Sequence, residues 1–246
     1  EILRCLVGSE MCIRDSFYSE KHLKEVFEKM EDYKKMNLDV NTFFEMTGMI
    51  GGICNNPEDY ASFYHNYKGR RYRHDQVHNL FGYYMTRSAS EAFERYVPEK
   101  RILLFSRASY IGMHRFGGIW QGDNASWWSH LKMNVKMMPS LNMCGFLYTG
   151  ADVGGFGADA TEDLVLRWLE FAVFTPLLRN HSARGTRRQE VYRFSHVEKF
   201  ADVIGVRYQI LPYIYSEYMK AALCNTMMFN PCLLYTSPSP RDISGS

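Results

Sequence analysis

The ten residues MCGFLYTGAD, Met143 to Asp152, are the stretch that decides the fold class. An apolar run is followed at once by small and polar residues. A short apolar run with that ending is typical of a buried parallel strand. We therefore predict a strand here whose carboxyl end carries polar groups.

Two similar stretches flank it, RILLFSRA at Arg101–Ala108 and PLLRNHS at Pro176–Ser182. Helical patterns at Ser126–Met138 and Glu162–Val173 separate the three predicted strands. Strands that alternate with helices indicate a parallel sheet in an α/β fold.

The carboxyl ends of these strands collect polar side chains. In a (β/α)₈ barrel the active site lies at that end of the sheet. Four polar residues fall there or in the loops that follow: Arg107, Asp123, Asp152 and His181. Their positions predict a functional site.

The flanking segments add helices and one long connection. Helices are predicted at Ser19–Met36, His78–Tyr96 and His196–Leu223, the last kinked at Pro212. A polar and aromatic connection runs from Asn41 to about Asp75, and MMFNP, which starts at Met227, is predicted to begin a further strand.

Composition limits the classes of function. The chain has 246 residues, enough for one large domain, with 29 Lys and Arg against 27 Asp and Glu. That balance gives no argument for nucleic acid or an anionic membrane, and no apolar run is long enough to span a bilayer. The six cysteines form no C-x-x-C pair, so free thiols and a cytoplasmic location are expected.

Both ends of the chain resemble translations of one sequencing-library adaptor. LVGSEMCIRDS, Leu6–Ser16, and CLLYTSPSPRD, Cys232–Asp242, match the two reading directions of a transposon end. Such scars are left out of fold reasoning. We therefore expect adaptor-like segments at 1–16 and 232–246, and a natural segment at 17–231.

Within that segment the chain resembles glycoside hydrolase family 31, the retaining α-glucosidases and their relatives. The matching stretches, in the family's order, are FSRASYIGMHRFGGIWQGDNASWWSHLK, GFLYTGADVGGF, WLEFAVFTPLLRNHS and VRYQILPYIYS. The resemblance implies a partial (β/α)₈ barrel, from after strand 4 to the start of strand 8. It implies no metal and no organic cofactor.

By this resemblance Asp123 is the general acid/base. A glycosidase needs one carboxyl group that is still protonated near neutral pH. The pKa of a free Asp is about 3.9, so its surroundings must raise it. We expect Trp120, Trp127 and Trp128 to exclude water and so disfavour the ionised form. The alternative for Asp123 is an Asp-Asn turn that ties down its own backbone.

The resemblance also implies five substrate-site residues. Arg107 matches an arginine that reaches the sugar hydroxyls, Trp120 the wall on which the ring stacks, and His181 a histidine that hydrogen-bonds the hydroxyls. Asp152, at the sixth strand's end, is implied to order the site, and Phe156 to line the pocket. The alternatives are a surface ion pair for Arg107, a core aromatic for Trp120 and a core histidine for His181; Arg179 is interpreted as structural.

The family's nucleophile lies on the fourth strand, in a W-x-D-M-N-E-P motif. That place is taken here by MCIRDS, and we reject Asp15 because adaptor codons account for it. Asp152 is a poor substitute, because a nucleophile must attack from the face opposite the acid. The nucleophile is therefore expected to lie outside this chain.

Three other motifs were weighed. HDQVH, His74–His78, has zinc-helix spacing but Asp75 where a metalloprotease has Glu. YHNYKGRRYRHD, Tyr64–Asp75, is basic and aromatic, which could suit single-stranded nucleic acid, but a solvated loop over the barrel mouth is preferred. GADVGGFG lacks the G-K-[ST] ending of a phosphate loop.

The sequence thus predicts a fragment of a retaining α-glycosidase that removes terminal α-linked glucose from oligosaccharides and is itself inactive without its nucleophile. No nucleic acid, membrane or metal is expected. The alternatives left open are an α-xylosidase of the same family and a non-catalytic carbohydrate-binding scaffold, and the oligomeric state is not assigned.

Overall fold

The computed structural model describes residues 20–33, 35, 42, 45–46, 48–49 and 57–231. The adaptor-like ends, Ser19 and Asp15 lie outside the described residues. The α-helices are α1 Glu20–Tyr33, α2 Pro57–Ser62, α3 His74–Val77, α4 Leu80–Tyr96, α5 Trp128–Met143, α6 Glu162–Ala172 and α7 Val197–Cys224. The strands are β1 Tyr64–Tyr67, β2 Arg70–Arg73, β3 Ile119–Trp120, β4 Thr149–Gly150, β5 Asp152–Val153 and β6 Arg179–Asn180.

The central sheet is parallel, as predicted, and its segments pair in the order of the sequence. Phe105 forms a parallel bridge with Gly118. β3 then pairs with β4, and β5 pairs with β6, both in parallel. Only Ala151 separates β4 from β5, and the Leu177 N–H donates to the Thr149 carbonyl at 3.2 Å, so the two pairs lie side by side. Within the described residues the sheet does not close on itself.

The strands pack so closely that one glycine is required by space. A Cβ built on Gly150 would overlap the carbonyl oxygen of Leu177 on the neighbouring segment. Since every other residue carries a Cβ, only glycine allows β4 to lie this close to the segment that leads into β6.

The structure corrects the predicted number of strands. β3 was not predicted, because it was read as part of a loop motif, yet it lies between the Phe105 segment and β4. The predicted strands placed Asp152 on the first strand after the Phe105 segment. Because β3 lies between them, Asp152 is on the second. The predicted Arg101–Ala108 strand is reduced to one bridge, and half of the Leu103 side chain is exposed.

A second correction concerns the chain after α7. The residues that begin with Met227 were predicted to start a strand, but they form none. The N–H groups of Met228 and Phe229 instead donate to Asn142 Oδ1, at 3.1 and 3.0 Å. Asn142 is buried near the end of α5. Its side-chain oxygen accepts the hydrogen bonds that backbone carbonyls of a neighbouring strand would accept in a sheet.

The main core lies between the sheet, α6 and α7. α6 begins where Thr161 Oγ1 accepts a hydrogen bond from the Leu164 N–H, with two acidic residues in its first turn. Its apolar face buries Trp168 and Val165 completely, and Phe200 of α7 packs against the same cluster. This packing holds the crossover helix on the sheet.

Two helices continue through proline. α5 extends past Pro139 to Met143, beyond the predicted end at Met138, and α7 continues through Pro212. Proline removes one N–H donor and disfavours a helix interior, so tertiary packing overrides the local cost here. α7 ends at Asn225, whose left-handed backbone is a common helix terminator.

The basic and aromatic segment before α3 forms a hairpin and not an irregular loop, and most of its residues are exposed, as predicted. β1 and β2 pair in antiparallel fashion, with Tyr64 opposite Arg73. The Arg71 guanidinium lies 3.8 Å from the centroid of the Tyr64 ring. His65 and His74 share a 2.7 Å hydrogen bond between ring nitrogens, which joins the hairpin to α3.

None of the helices in the described ranges has a stretch long and apolar enough to cross a bilayer.

Candidate active site

The parallel sheet brings the predicted site residues to one edge. Arg107 follows the Phe105 bridge, Asp123 follows β3, and His181 follows β6. Asp152 begins β5, which pairs directly with β6. Because the carboxyl ends of parallel strands lie at the same edge, these four residues face a common region.

Arg107 and Asp123 form a direct ion pair. Arg107 Nη2 donates to Asp123 Oδ1 at 2.8 Å, and a quarter of each side chain is exposed. The pair is therefore open to a ligand on one side. One Asp123 oxygen is held by a fixed cation, which sets the direction of the carboxyl group.

Trp120, on β3, forms the floor beside this pair. It is 2% exposed, and its indole N–H has no acceptor among the described residues. The Arg107 guanidinium carbon lies 4.8 Å from the centroid of its ring. Contact between a guanidinium and an indole face is a favourable cation–π arrangement. Trp120 thus supports Arg107 from below.

The expected water-excluding wall of tryptophans is only partly present. Trp127 and Trp128 are 57% and 52% exposed, and Trp127 packs its ring on His130 instead. They lie at the start of α5, where the side chains point into solvent. The prediction that all three tryptophans shield Asp123 was wrong for these two.

A second ion pair lies deeper in the site. Arg179 Nε donates to Asp152 Oδ1 at 2.6 Å, and Asp152 is fully buried. Burial raises the pKa of Asp152 above its ordinary value, and the charge and hydrogen bond of Arg179 oppose that rise. The neighbouring Asp123 charge raises the pKa of Asp152 slightly further. The two carboxyl groups are thus close enough to influence one another.

Phe156 and His181 lie side by side beyond Asp152. Their ring centroids are 5.2 Å apart. The Phe156 N–H donates to the Asn124 carbonyl at 2.6 Å, and the Ala183 N–H donates to the Phe156 carbonyl at 2.8 Å. Main-chain bonds therefore link the segments after β3, β5 and β6 in a row.

Two residues that the sequence reasoning did not assign to the site support it. Arg179 was interpreted as structural, but it pairs with Asp152 and lies 5.5 Å from the Trp120 ring centroid. Gln189 was not singled out. Its buried side-chain amide donates to the carbonyls of Val153 and Gly155, at 3.0 and 3.1 Å, and no sequence motif marks it.

A cavity of about 750 Å³ opens beside His181 and is also lined by Asn180, Gln189, Tyr192 and Arg207. Asp123 and Trp120 are not part of its lining. Across the described parts of the chain, no group of three or more His, Cys, Asp or Glu side chains is placed to hold a metal ion, the HDQVH segment included.

Comparison with known proteins identifies the fold and the family. Residues 14–217 match the family model described as the glycosyl hydrolases family 31 TIM-barrel domain. The chain is 36% identical over 161 residues to alpha-glucosidase 2 of Bacillus thermoamyloliquefaciens, a match that covers 64% of this chain and 20% of the relative. It is 31% identical over 239 residues to glucosidase 2 subunit alpha of Saccharomyces cerevisiae, covering 94% of this chain and 24% of the relative.

A solved structure agrees. The family 31 dextranase of Flavobacterium johnsoniae, complexed with glucose, matches with a TM-score of 0.67 and 26% identity, over 76% of this chain and 24% of the dextranase. The chain therefore spans about a fifth to a quarter of the length of these relatives. The open parallel sheet is a partial (β/α)₈ barrel, and the chain belongs to glycoside hydrolase family 31.

Proposed function

We propose that this chain is part of the catalytic barrel of a retaining α-glycosidase that removes terminal α-linked glucose from oligosaccharides. Asp123 is the general acid/base in this proposal. The observation that carries it is the position of Asp123, directly after β3 at the carboxyl edge of a parallel sheet in a family 31 barrel. The names of relatives, alpha-glucosidase 2 among them, support the substrate class.

The reaction follows from the chemistry of two carboxyl groups. In the first step Asp123 gives its proton to the glycosidic oxygen as the bond to the anomeric carbon breaks. A second carboxylate, predicted to lie outside this chain, forms a bond to that carbon. In the second step water attacks the same carbon, the bond from that carbon to the second carboxylate breaks, and Asp123 takes the water proton, which restores both carboxyl groups.

The remaining residues have roles that match their positions. Arg107 fixes one Asp123 oxygen and presents its other donors to sugar hydroxyls. Trp120 is 2% exposed, which fits the core-aromatic alternative and not a wall on which the sugar ring stacks. His181 and Phe156 form the far wall, and the buried Asp152 adds negative charge near the developing positive charge of the transition state.

The test uses the complete protein that carries this segment, with Asp123→Asn as the variant. We expect hydrolysis of an α-linked disaccharide to fall by about 10²–10⁴-fold, the usual contribution of general acid catalysis. A dinitrophenyl α-glucoside should be cleaved with a much smaller loss, because its leaving group needs no proton to depart. The matched control is Asp202→Asn, an exposed aspartate on α7, which should keep full activity.

Three outcomes separate the candidates. Equal activity of the Asp123→Asn variant and the unsubstituted protein on the disaccharide would refute the assigned role. A complete protein that binds α-glucan without cleaving it would be a carbohydrate-binding scaffold. Faster hydrolysis of a nitrophenyl α-xyloside than of the α-glucoside would assign the protein as an α-xylosidase.

A further inference from the structure

Arg179, on β6, contacts both halves of the site. Its Nε donates to Asp152 Oδ1 at 2.6 Å. Its guanidinium carbon also lies 5.5 Å from the centroid of the Trp120 ring and 5.6 Å from that of Phe105. Arg179 therefore links the deep carboxylate to the aromatic floor beneath Asp123.

Asp152 depends on this contact. Its side chain is fully buried, and Asp152 Oδ2 has no hydrogen-bond partner among the described residues. The charged or titratable groups that face it are Arg179, His181 and Asp123. Asp123 carries the same sign of charge, and His181 is a cation only when protonated. Arg179 is thus the one permanent cation among these three groups, and a buried carboxylate needs such a partner.

The same ring connects the two ion pairs. The Arg107 guanidinium, which holds Asp123, lies 4.8 Å from the Trp120 ring centroid. The Arg179 guanidinium, which holds Asp152, lies against that ring as well. The Trp120 ring therefore lies near both ion pairs.

We propose that Arg179 is a positioning residue for the glycosidase reaction: it keeps the Asp152 carboxylate ionised and oriented. This inference rests on the proposed function. Arg179 does not itself touch the sugar in this scheme. It acts through Asp152, whose negative charge faces the reacting centre.

The substitution Arg179→Met keeps much of the side-chain volume and removes the cation. Asp152 then remains buried without a permanent positive partner, so it takes up a proton at a higher pH than before. We expect kcat on an α-linked disaccharide to fall by about 10²-fold, the scale set by misplacement of a catalytic group, with KM little changed.

A double-mutant cycle tests whether Arg179 acts through Asp152. If it does, Arg179→Met combined with Asp152→Asn should lose no more activity than the more damaging single variant, because both act on one carboxylate. Losses that multiply would mean that the two residues act independently, and that result would overturn the proposal.

The pH profile gives a readout that a merely structural role would not change. In Arg179→Met the acid-side limb of kcat should move to higher pH, since Asp152 loses its charge earlier as the pH falls. The shift should vanish in the double variant and be partly reversed in Arg179→Lys, which keeps the charge. The matched control is Arg167→Met, an exposed arginine on α6, which should leave the profile unchanged.

One measurement does not depend on activity. Carboxyl-carbon NMR, with the Asp152 signal assigned from Asp152→Asn, should show that Asp152 titrates at higher pH in Arg179→Met than in the unsubstituted protein. Identical titration would overturn the proposal even if hydrolysis behaves as expected. An inactive complete protein would contradict the proposed function, and the NMR result would still decide the role of Arg179.

Discussion

The backbone N–H of Phe156 donates to the carbonyl oxygen of Asn124 at 2.6 Å, although the two residues belong to different strand-end segments. The Gly157 N–H reaches the same carbonyl at 3.1 Å, and the Ser126 N–H donates back to the Gly157 carbonyl at 2.6 Å. Asp123 is thus tied, through its neighbour Asn124, to the glycine-rich segment after Asp152.

The first prediction concerns Gly155. Its φ is +88°, and a Cβ at this position would lie 2.6 Å from the Ser126 backbone. Gly155→Ala should therefore lower the free energy of unfolding by about 1–3 kcal/mol, measured by urea denaturation. The control is Gly205→Ala within α7, where a Cβ meets nothing within 4 Å and should raise stability by about 0.4–1 kcal/mol. Equal effects of the two substitutions would contradict the close approach.

The second prediction concerns Gln189. Its side-chain amide donates to Val153 O, Gly155 O and Asn180 Oδ1, at 3.0, 3.1 and 3.0 Å. Gln189→Leu leaves the buried carbonyls of Val153 and Gly155 without that donor, so stability should fall by about 1–3 kcal/mol. Gln209→Leu, on the exposed side of α7, is the matched control and should change little. Unfolding curves that coincide for the two variants would show that the amide bonds are not needed.

The third prediction concerns the pH dependence of stability. Burial raises the pKa of Asp152, so the folded protein keeps this proton to a higher pH than the unfolded chain does. Protonated Asp152 therefore adds its full contribution to the free energy of unfolding below the ordinary Asp pKa of about 3.9. That contribution is lost as the pH rises through the folded-state pKa. Asp152→Asn cannot ionise and should show a smaller decline in the free energy of unfolding with rising pH.

Urea unfolding at several pH values, from about pH 4 to about pH 8, measures this slope. The slope is the relevant quantity, since Asp152→Asn also leaves Arg179 without its anion wherever Asp152 would be ionised. Asp202→Asn should keep the slope of the unsubstituted protein. If Asp152→Asn keeps it as well, the carboxyl group does not titrate differently in the folded state.

The fourth prediction concerns the core beneath the site. Trp168 of α6 is completely buried in the main apolar cluster. Trp168→Ala should cost about 3–5 kcal/mol through lost burial and the cavity left behind. Trp128→Ala, at a side chain that is 52% exposed, should cost far less. Differential scanning calorimetry measures the loss of stability for each substitution. A comparable loss from both would mean that α6 does not hold the core together.

The sequence predicts long amphipathic elements well and short strands poorly. α6 was predicted at Glu162–Val173 and found at Glu162–Ala172, because a periodic apolar face and an N-cap are local signals. β3 spans two residues, too few for any periodicity, and exists because Thr149 and Gly150 lie beside it. Only the tertiary fold supplies that partner, so the strand that precedes Asp123 was missed.

The same contrast holds for the candidate site. The matched motifs pointed to Arg107, Asp123, Asp152 and His181, and the structure brings them to one edge of the sheet. Their catalytic and binding roles stay predictions. The Asp152–Arg179 pair was not predicted, since 27 positions separate the two residues and no local pattern joins them. Long-range pairs of this kind depend on strand register.

The order of the sheet has a consequence for how the protein is made. Each parallel segment pairs with the one synthesised just before it, from Phe105 to Gly118, then β3 to β4 and β5 to β6. Domains form progressively as the ribosome delivers the chain. Every strand that emerges finds its neighbour already present, so this half of the barrel can assemble by stepwise addition during translation, without waiting for a distant segment.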